Sequence, residues 1–219
     1  MASHIENRVF QGLAGDVDCL VESPGGAARG WALVLHPHPL HGGARENKVV
    51  TTIARACLDH GLVTVRPNFR GVGKSAGSFD SGVGETADMR ALVSQFAQAW
   101  PDAAAGQWVL AGFSFGTAVG AQLYSLLREQ GARTPDALIL LGTAVARFRF
   151  REVAVPDDTL LVHGERDEVV PLAEVLDFAR PGSLPVVVVP DASHFFHGKL
   201  VVLKRLVAQR LAALGGETR

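Results

Sequence analysis

Two serines lie in the pattern Gly-x-Ser-x-Gly, at Gly112-Phe-Ser114-Phe-Gly116 and at Gly73-Lys-Ser75-Ala-Gly77. A serine hydroxyl is a weak nucleophile until a neighbouring base takes its proton, and that base needs a third group to orient it. The flanking glycines allow a backbone approach that a β-carbon would block. Context separates the two serines, because a nucleophile turn needs a strand directly before it and a helix directly after it. Ser114 follows the apolar run Trp108-Val-Leu-Ala111 and precedes the helix-forming Thr117-Ala-Val-Gly-Ala-Gln-Leu-Tyr. Ser75 runs into Gly-Ser-Phe-Asp-Ser-Gly, which reads as a loop. Ser114 is therefore the expected nucleophile.

Of eight histidines, His194 stands just after the apolar run Val186–Val189, in a loop suited to a general base. His197, three residues on, is the alternative, and its position reads as a polar helix start. The expected acid is Asp167, past the end of Thr159-Leu-Leu-Val-His-Gly. Glu165 and Glu168 compete with it, and otherwise read as solvated loop charge; His163 reads as a structural strand-end residue. Gly71-Val-Gly-Lys-Ser75 resembles the end of a phosphate-binding loop, but Asn68 stands where its first glycine belongs. No helix follows to hold a phosphate, so the stretch is read as a glycine-rich loop rimming the site.

The elements that must position these residues alternate. Ile5–Ser23 reads as two strands in an antiparallel edge pair. Buried strands are expected at Trp31–Leu35, Leu62–Val65, Ala137–Leu141 and Thr159–Val162, and further strands at Trp108–Ala111 and Val186–Val189. Helices are expected at Asn47–His60, Glu85–Trp100, Ser114–Gln130, Leu172–Ala179 and Gly198–Leu214, the last with Lys199, Lys204, Arg205 and Arg210 on its wet side. Such alternation implies right-handed βαβ crossovers, hence an α/β protein: a three-layer αβα sandwich with a mostly parallel central sheet. Leu141–Thr159 holds too little chain for a cap domain. Within it, Phe148 and Phe150 alternate with Arg147, Arg149 and Arg151, which reads as a surface strand or turn, or as an edge that greets an acyl chain or anion.

The 219 residues suit one domain, 1–219, and 47% hydrophobic content argues against disorder. With 21 Lys+Arg against 22 Asp+Glu, the net charge of −1 carries no footprint for nucleic acid or an anionic membrane. No apolar run reaches a membrane span, and the opening residues lack the order of a secretory signal, so a cytoplasmic protein is expected. Cys19 and Cys57 read as buried thiols. Neither a metal nor a cofactor is expected, and nothing sets an oligomeric state.

The order Ser114, Asp167, His194, taken with these elements, resembles the α/β-hydrolase superfamily over almost the whole chain. More narrowly it is similar to small bacterial dienelactone-hydrolase-like proteins, through His36-Pro-His-Pro39 with Gly42-Gly43, Arg70 to Phe79, and His163 to Pro171. The resemblance implies an α/β-hydrolase fold and an oxyanion hole built from backbone N–H groups. It places the first donor on Phe115 and the second on His38, between two prolines that have no N–H. Otherwise His36, His38 and His41 read as members of a proline-stiffened loop. Asn68 replaces the aspartate of many relatives and is read as structural, and Arg70 as a loop anchor. The expected activity is cleavage of an ester or thioester of a small acyl substrate through an acyl-enzyme. A peptidase on the same triad, or a non-catalytic binding protein of this fold, is the alternative.

Overall fold

The computed structural model describes residues 3–215; the first two and last four residues of the expected 1–219 domain lie outside that range. The chain opens with His4–Gly12 (β1) and Gly15–Ser23 (β2), an antiparallel hairpin closed by Gly12 against Gly15. β1 is mostly exposed, with alternate residues wet on both faces. Gly30–Leu35 (β3) is buried throughout: Trp31, Leu33 and Leu35 enter one core layer, Ala32 and Val34 the other. Leu62–Pro67 (β4), Gln107–Phe113 (β5), Ala137–Leu141 (β6) and Leu160–Gly164 (β7) follow the same two-sided pattern, and Val186–Val189 (β8) is the partly covered far edge. Among the described residues these eight strands form one sheet, ordered β1-β2-β4-β3-β5-β6-β7-β8. β1, β2 and β4 pair antiparallel, and every other pair is parallel.

The helices that cover the sheet are Lys48–Asp59 (α1), Val83–Ala99 (α2), Pro101–Ala105 (α3), Phe115–Glu129 (α4), Val145–Phe148 (α5), Leu172–Ala179 (α6) and Leu200–Leu214 (α7). α1 and α7 pack on one face, through Val50, Ile53, Leu203 and Val207. α2 and α4 pack on the other, through Met89, Leu92, Val119 and Leu123. Asn47 caps α1 by accepting from the Val49 amide at 2.9 Å. On the α2 face the rings of Trp108, Trp31, Phe96, Trp100 and Phe10 form a continuous aromatic run. Successive centroids lie 5.2, 4.2, 5.0 and 6.1 Å apart.

The structure refines three expectations. The helix expected to stop before Pro101 does stop there, at Ala99, and is followed at once by α3, because a proline at the first helical position has no orphan N–H to satisfy. The terminal helix begins at Leu200, since Gly198 takes a left-handed φ of 70°. Its basic residues are not simply solvated: Lys204 pairs with Asp59 at 2.7 Å, and Arg210 pairs with Asp158. Of the strand or turn expected at Arg147–Arg151 the structure has the turn, opening as the last residues of the four-residue helix α5. Between β6 and β7, α5 is the one helix, and no cap is built there.

Candidate active site

Parallel pairing brings the carboxyl ends of four strands to one edge. Leu35 of β3 lies level with Gly112 of β5, and Gly164 of β7 with Val189 of β8. Open α/β sheets bind ligands at this edge. Ser114 stands between β5 and α4 with φ 53° and ψ −120°, a conformation costly for any residue with a β-carbon. The glycines around it are needed for contact. A β-carbon on Gly112 would meet the Gly116 carbonyl oxygen at 2.3 Å, and one on Gly116 would meet that of Leu35 at 2.5 Å. The turn is tied on both sides, as the Ser114 amide donates to Leu141 O at 2.9 Å and the Thr117 hydroxyl donates to Ser114 O at 2.5 Å. Thr117 also accepts from the Ala144 amide at 2.9 Å, a role that its position in a helical pattern does not advertise.

The three residues selected from the sequence meet here. His194 Nε2 is 3.0 Å from Ser114 Oγ, and His194 Nδ1 is 2.7 Å from Asp167 Oδ2. All three are buried, with Ser114 and Asp167 each 7% exposed and His194 2%. The second carboxylate oxygen, Asp167 Oδ1, accepts from the amides of Val169 at 3.0 Å and Val170 at 2.7 Å. Burial pushes the Asp167 carboxyl up. The His194 hydrogen bond, the Val170 amide and the two nearby imidazoles outweigh that, leaving it below its ordinary range.

The competing acids lie elsewhere and have work of their own. Glu165 Oε2 accepts from the Asp191 amide at 2.9 Å, and Glu168 Oε2 accepts from the His194 amide at 3.2 Å. With Glu165 N donating to Val189 O and Arg166 N to Ala192 O, they fasten the loop after β7 to the loop after β8. Both are exposed, as expected of loop carboxylates, and each also holds a backbone amide. His197 is exposed and stands beside Phe195, with no hydrogen bond to the serine. The Ser75 hydroxyl is buried, accepting from the Asp18 amide at 2.9 Å and donating to Asn68 O at 2.8 Å, so it stitches a loop.

The amides of Phe115 and His38 donate to no protein group among the described residues. The His38 loop is set by its neighbour. His36, fully buried, donates from Nδ1 to Pro37 O at 2.6 Å and accepts at Nε2 from the Phe69 amide at 2.8 Å. Burial lowers its pKa to about 4, so it is a neutral strut rather than a space-filler. The half-buried His38 ring stacks on His41 at 4.3 Å and lies 4.6 Å from Phe79 and 5.3 Å from Phe148. Burial and the His41 ring lower its pKa.

Charges around the edge are mostly matched. Arg70 grips Asp88 at 2.9 and 3.0 Å and the Gly84 carbonyl at 3.1 Å, the anchoring role expected of it. Arg147 pairs with Glu174 at 2.6 Å, and Arg151 pairs with Glu129. Asn68 is buried and structural, accepting from the Arg45 amide at 3.1 Å. Among the described residues, no group of three or more His, Cys, Asp or Glu side chains is placed to hold a metal ion. No described helix is long and apolar enough to cross a membrane.

No family model matches the chain. Its fold superposes on XC6422 of Xanthomonas campestris, an α/β serine hydrolase without a lid, with a TM-score of 0.85 and 34% identity over 97% of this chain and 96% of that one. The chain belongs to the α/β-hydrolase superfamily. An α/β serine hydrolase homologue from Coxiella burnetii is 39% identical to this hydrolase, covering 94% of its chain and 97% of the other, with a TM-score of 0.79. Uncharacterized protein RP471 of Rickettsia prowazekii (strain Madrid E) is 34% identical over 176 residues, 77% of this hydrolase and 72% of the relative. XC6422 is without a lid, and this hydrolase builds no cap between β6 and β7.

Proposed function

We propose that this hydrolase cleaves esters or thioesters of small acyl substrates through an acyl-enzyme on Ser114. The observation that carries the reading is the unbroken relay from Ser114 Oγ through His194 to Asp167, at 3.0 and 2.7 Å. His194 Nε2 takes the proton of Ser114 as Oγ attacks the acyl carbonyl, and Asp167 Oδ2 accepts from Nδ1–H to hold the ring in that tautomer. The free amides of Phe115 and His38 receive the oxyanion; each such donor is worth about 3 kcal/mol in a transition state. Protonated His194 then gives its proton to the leaving oxygen or sulfur, and water repeats the sequence on the acyl-enzyme.

Strain at Ser114 and burial of the relay favour turnover over a binding-only role, since neither is needed merely to hold a ligand. The site is proposed to be open, with small acyl groups reaching Ser114 directly. A fluorophosphonate probe should label Ser114, and a panel of p-nitrophenyl esters, acyl thioesters and aminoacyl anilides should give turnover on the first two. Labelling elsewhere, or turnover of the anilides alone, would overturn the reading.

A further inference from the structure

One buried imidazole is left over once the relay and the His36 strut are assigned. His163, on β7, is 0% exposed. Its Nε2 lies 2.7 Å from the Val170 carbonyl oxygen, and a carbonyl only accepts, so Nε2 carries the proton. Its Nδ1 is buried with no hydrogen-bond partner among the described residues. Burying a lone pair in this way costs stability, and an apolar ring of similar size would avoid the cost. What the imidazole supplies is the N–H on the other side. That same Nε2 is 3.4 Å from Asp167 Oδ2, the oxygen that His194 Nδ1 meets at 2.7 Å. Oδ2 therefore lies between two imidazoles, hydrogen-bonded to His194 and close to the His163 nitrogen whose proton goes to the Val170 carbonyl.

The contacts form a closed loop. His163 fixes the Val170 carbonyl, the Val170 amide fixes Asp167 Oδ1, and the remaining oxygen is left facing both rings. A carboxylate free to rotate about its last bond could instead turn Oδ2 away from His194. We propose that His163 is a positioning residue for the relay: it locks the Val170–Asp167 turn and, through its N–H dipole, the rotamer that presents Oδ2 to His194. Only its kinetic consequence rests on the serine-hydrolase reading. The placement of Asp167 against His194 does not.

The test uses the full chain. Nitrogen-15 spectra of the wild-type protein should show His163 as the Nε2–H tautomer; an Nδ1–H tautomer overturns the proposal before any variant is made. A strongly deshielded proton should be seen between His194 and Asp167. In His163→Phe, which keeps a ring but loses the N–H, that proton should disappear or broaden. On an ester substrate kcat should fall on the order of 10-fold or more with little change in KM, the pattern of a misaligned catalytic group. His163→Gln, whose Nε2 is as many bonds from the backbone as the histidine Nε2, should restore the proton and most of kcat. His163→Asn, one bond shorter, should not. A folded His163→Phe with the same deshielded proton and the same kcat overturns the proposal. Should His163→Phe not fold, the Gln and Asn pair decides, and equal behaviour of those two overturns it. A wild type that shows the tautomer and the deshielded proton but neither labels at Ser114 nor turns over esters would refute the functional reading and leave the positioning role standing.

Discussion

Ser114 and Ser75 carry the same five-residue pattern and differ in every contact. Ser114→Ala should abolish ester hydrolysis, measured per folded molecule, while leaving the fold intact. Ser75→Ala should do the reverse. It leaves the buried Asp18 amide and Asn68 carbonyl without their partner, at a cost of about 1–3 kcal/mol, visible as a lower unfolding midpoint with turnover retained. Equal loss of turnover in both variants would contradict the assignment. A second residue-scale prediction follows from His36. Its pKa drops from 6.5 to about 4 on folding, so the unfolded chain binds a proton that the native state refuses. Its contribution is fully present above about 6.5 and declines as the pH falls toward about 4, by about 3 kcal/mol over that window. Urea unfolding at stepped pH reads this slope, and His36→Gln, which cannot titrate, should flatten it. At this scale the sequence is legible where chemistry has a pattern, as in the order of Ser114, Asp167 and His194. Thr117, Glu168 and His163 escape it because their partners are backbone groups that only the fold brings near.

Segments connecting the strands decide how substrate arrives. The Gly71–Gly84 loop, whose glycines suggest a flap, is pinned instead. Ala76 N donates to Asp16 O, Gly71 N to Ala76 O, and Glu85 accepts from the amides of Asp80 and Gly82 at 2.8 and 2.9 Å. Arg70 ties its base to Asp88. No cap is built between β6 and β7, and this loop is fastened. Rate against concentration of a soluble ester should therefore follow simple saturation through the solubility limit. A jump in rate as the substrate begins to aggregate would show that some segment closes over Ser114. The buried strands were readable from their apolar runs, and Leu172–Ala179 and Val186–Val189 matched to the residue. α3 and α5 were not, being too short for a period to register. The roles of Glu165 and Glu168 were hidden for a related reason, since the amide that an exposed loop carboxylate accepts from is set only by the facing loop.

Across the whole molecule, the candidate site and the aromatic run lie at opposite ends of the same strands. All three tryptophans, Trp31, Trp100 and Trp108, belong to that run. Trp108 stands near the start of β5 and Ser114 follows its end, a separation of roughly 20 Å at the usual strand rise. Tryptophan emission is thus a blind witness to anything that docks at Ser114, and a flat fluorescence titration would say nothing about affinity. The stacked indoles of Trp31 and Trp108, nearly parallel at 9°, give the opposite service. Their coupled transitions should produce a near-ultraviolet circular dichroism signal that survives only while the β1, β3 and β5 sides of the core stay closed. Spectroscopists would hold a gauge for that end of the sheet alone, and would need the released alcohol or thiol to follow the other.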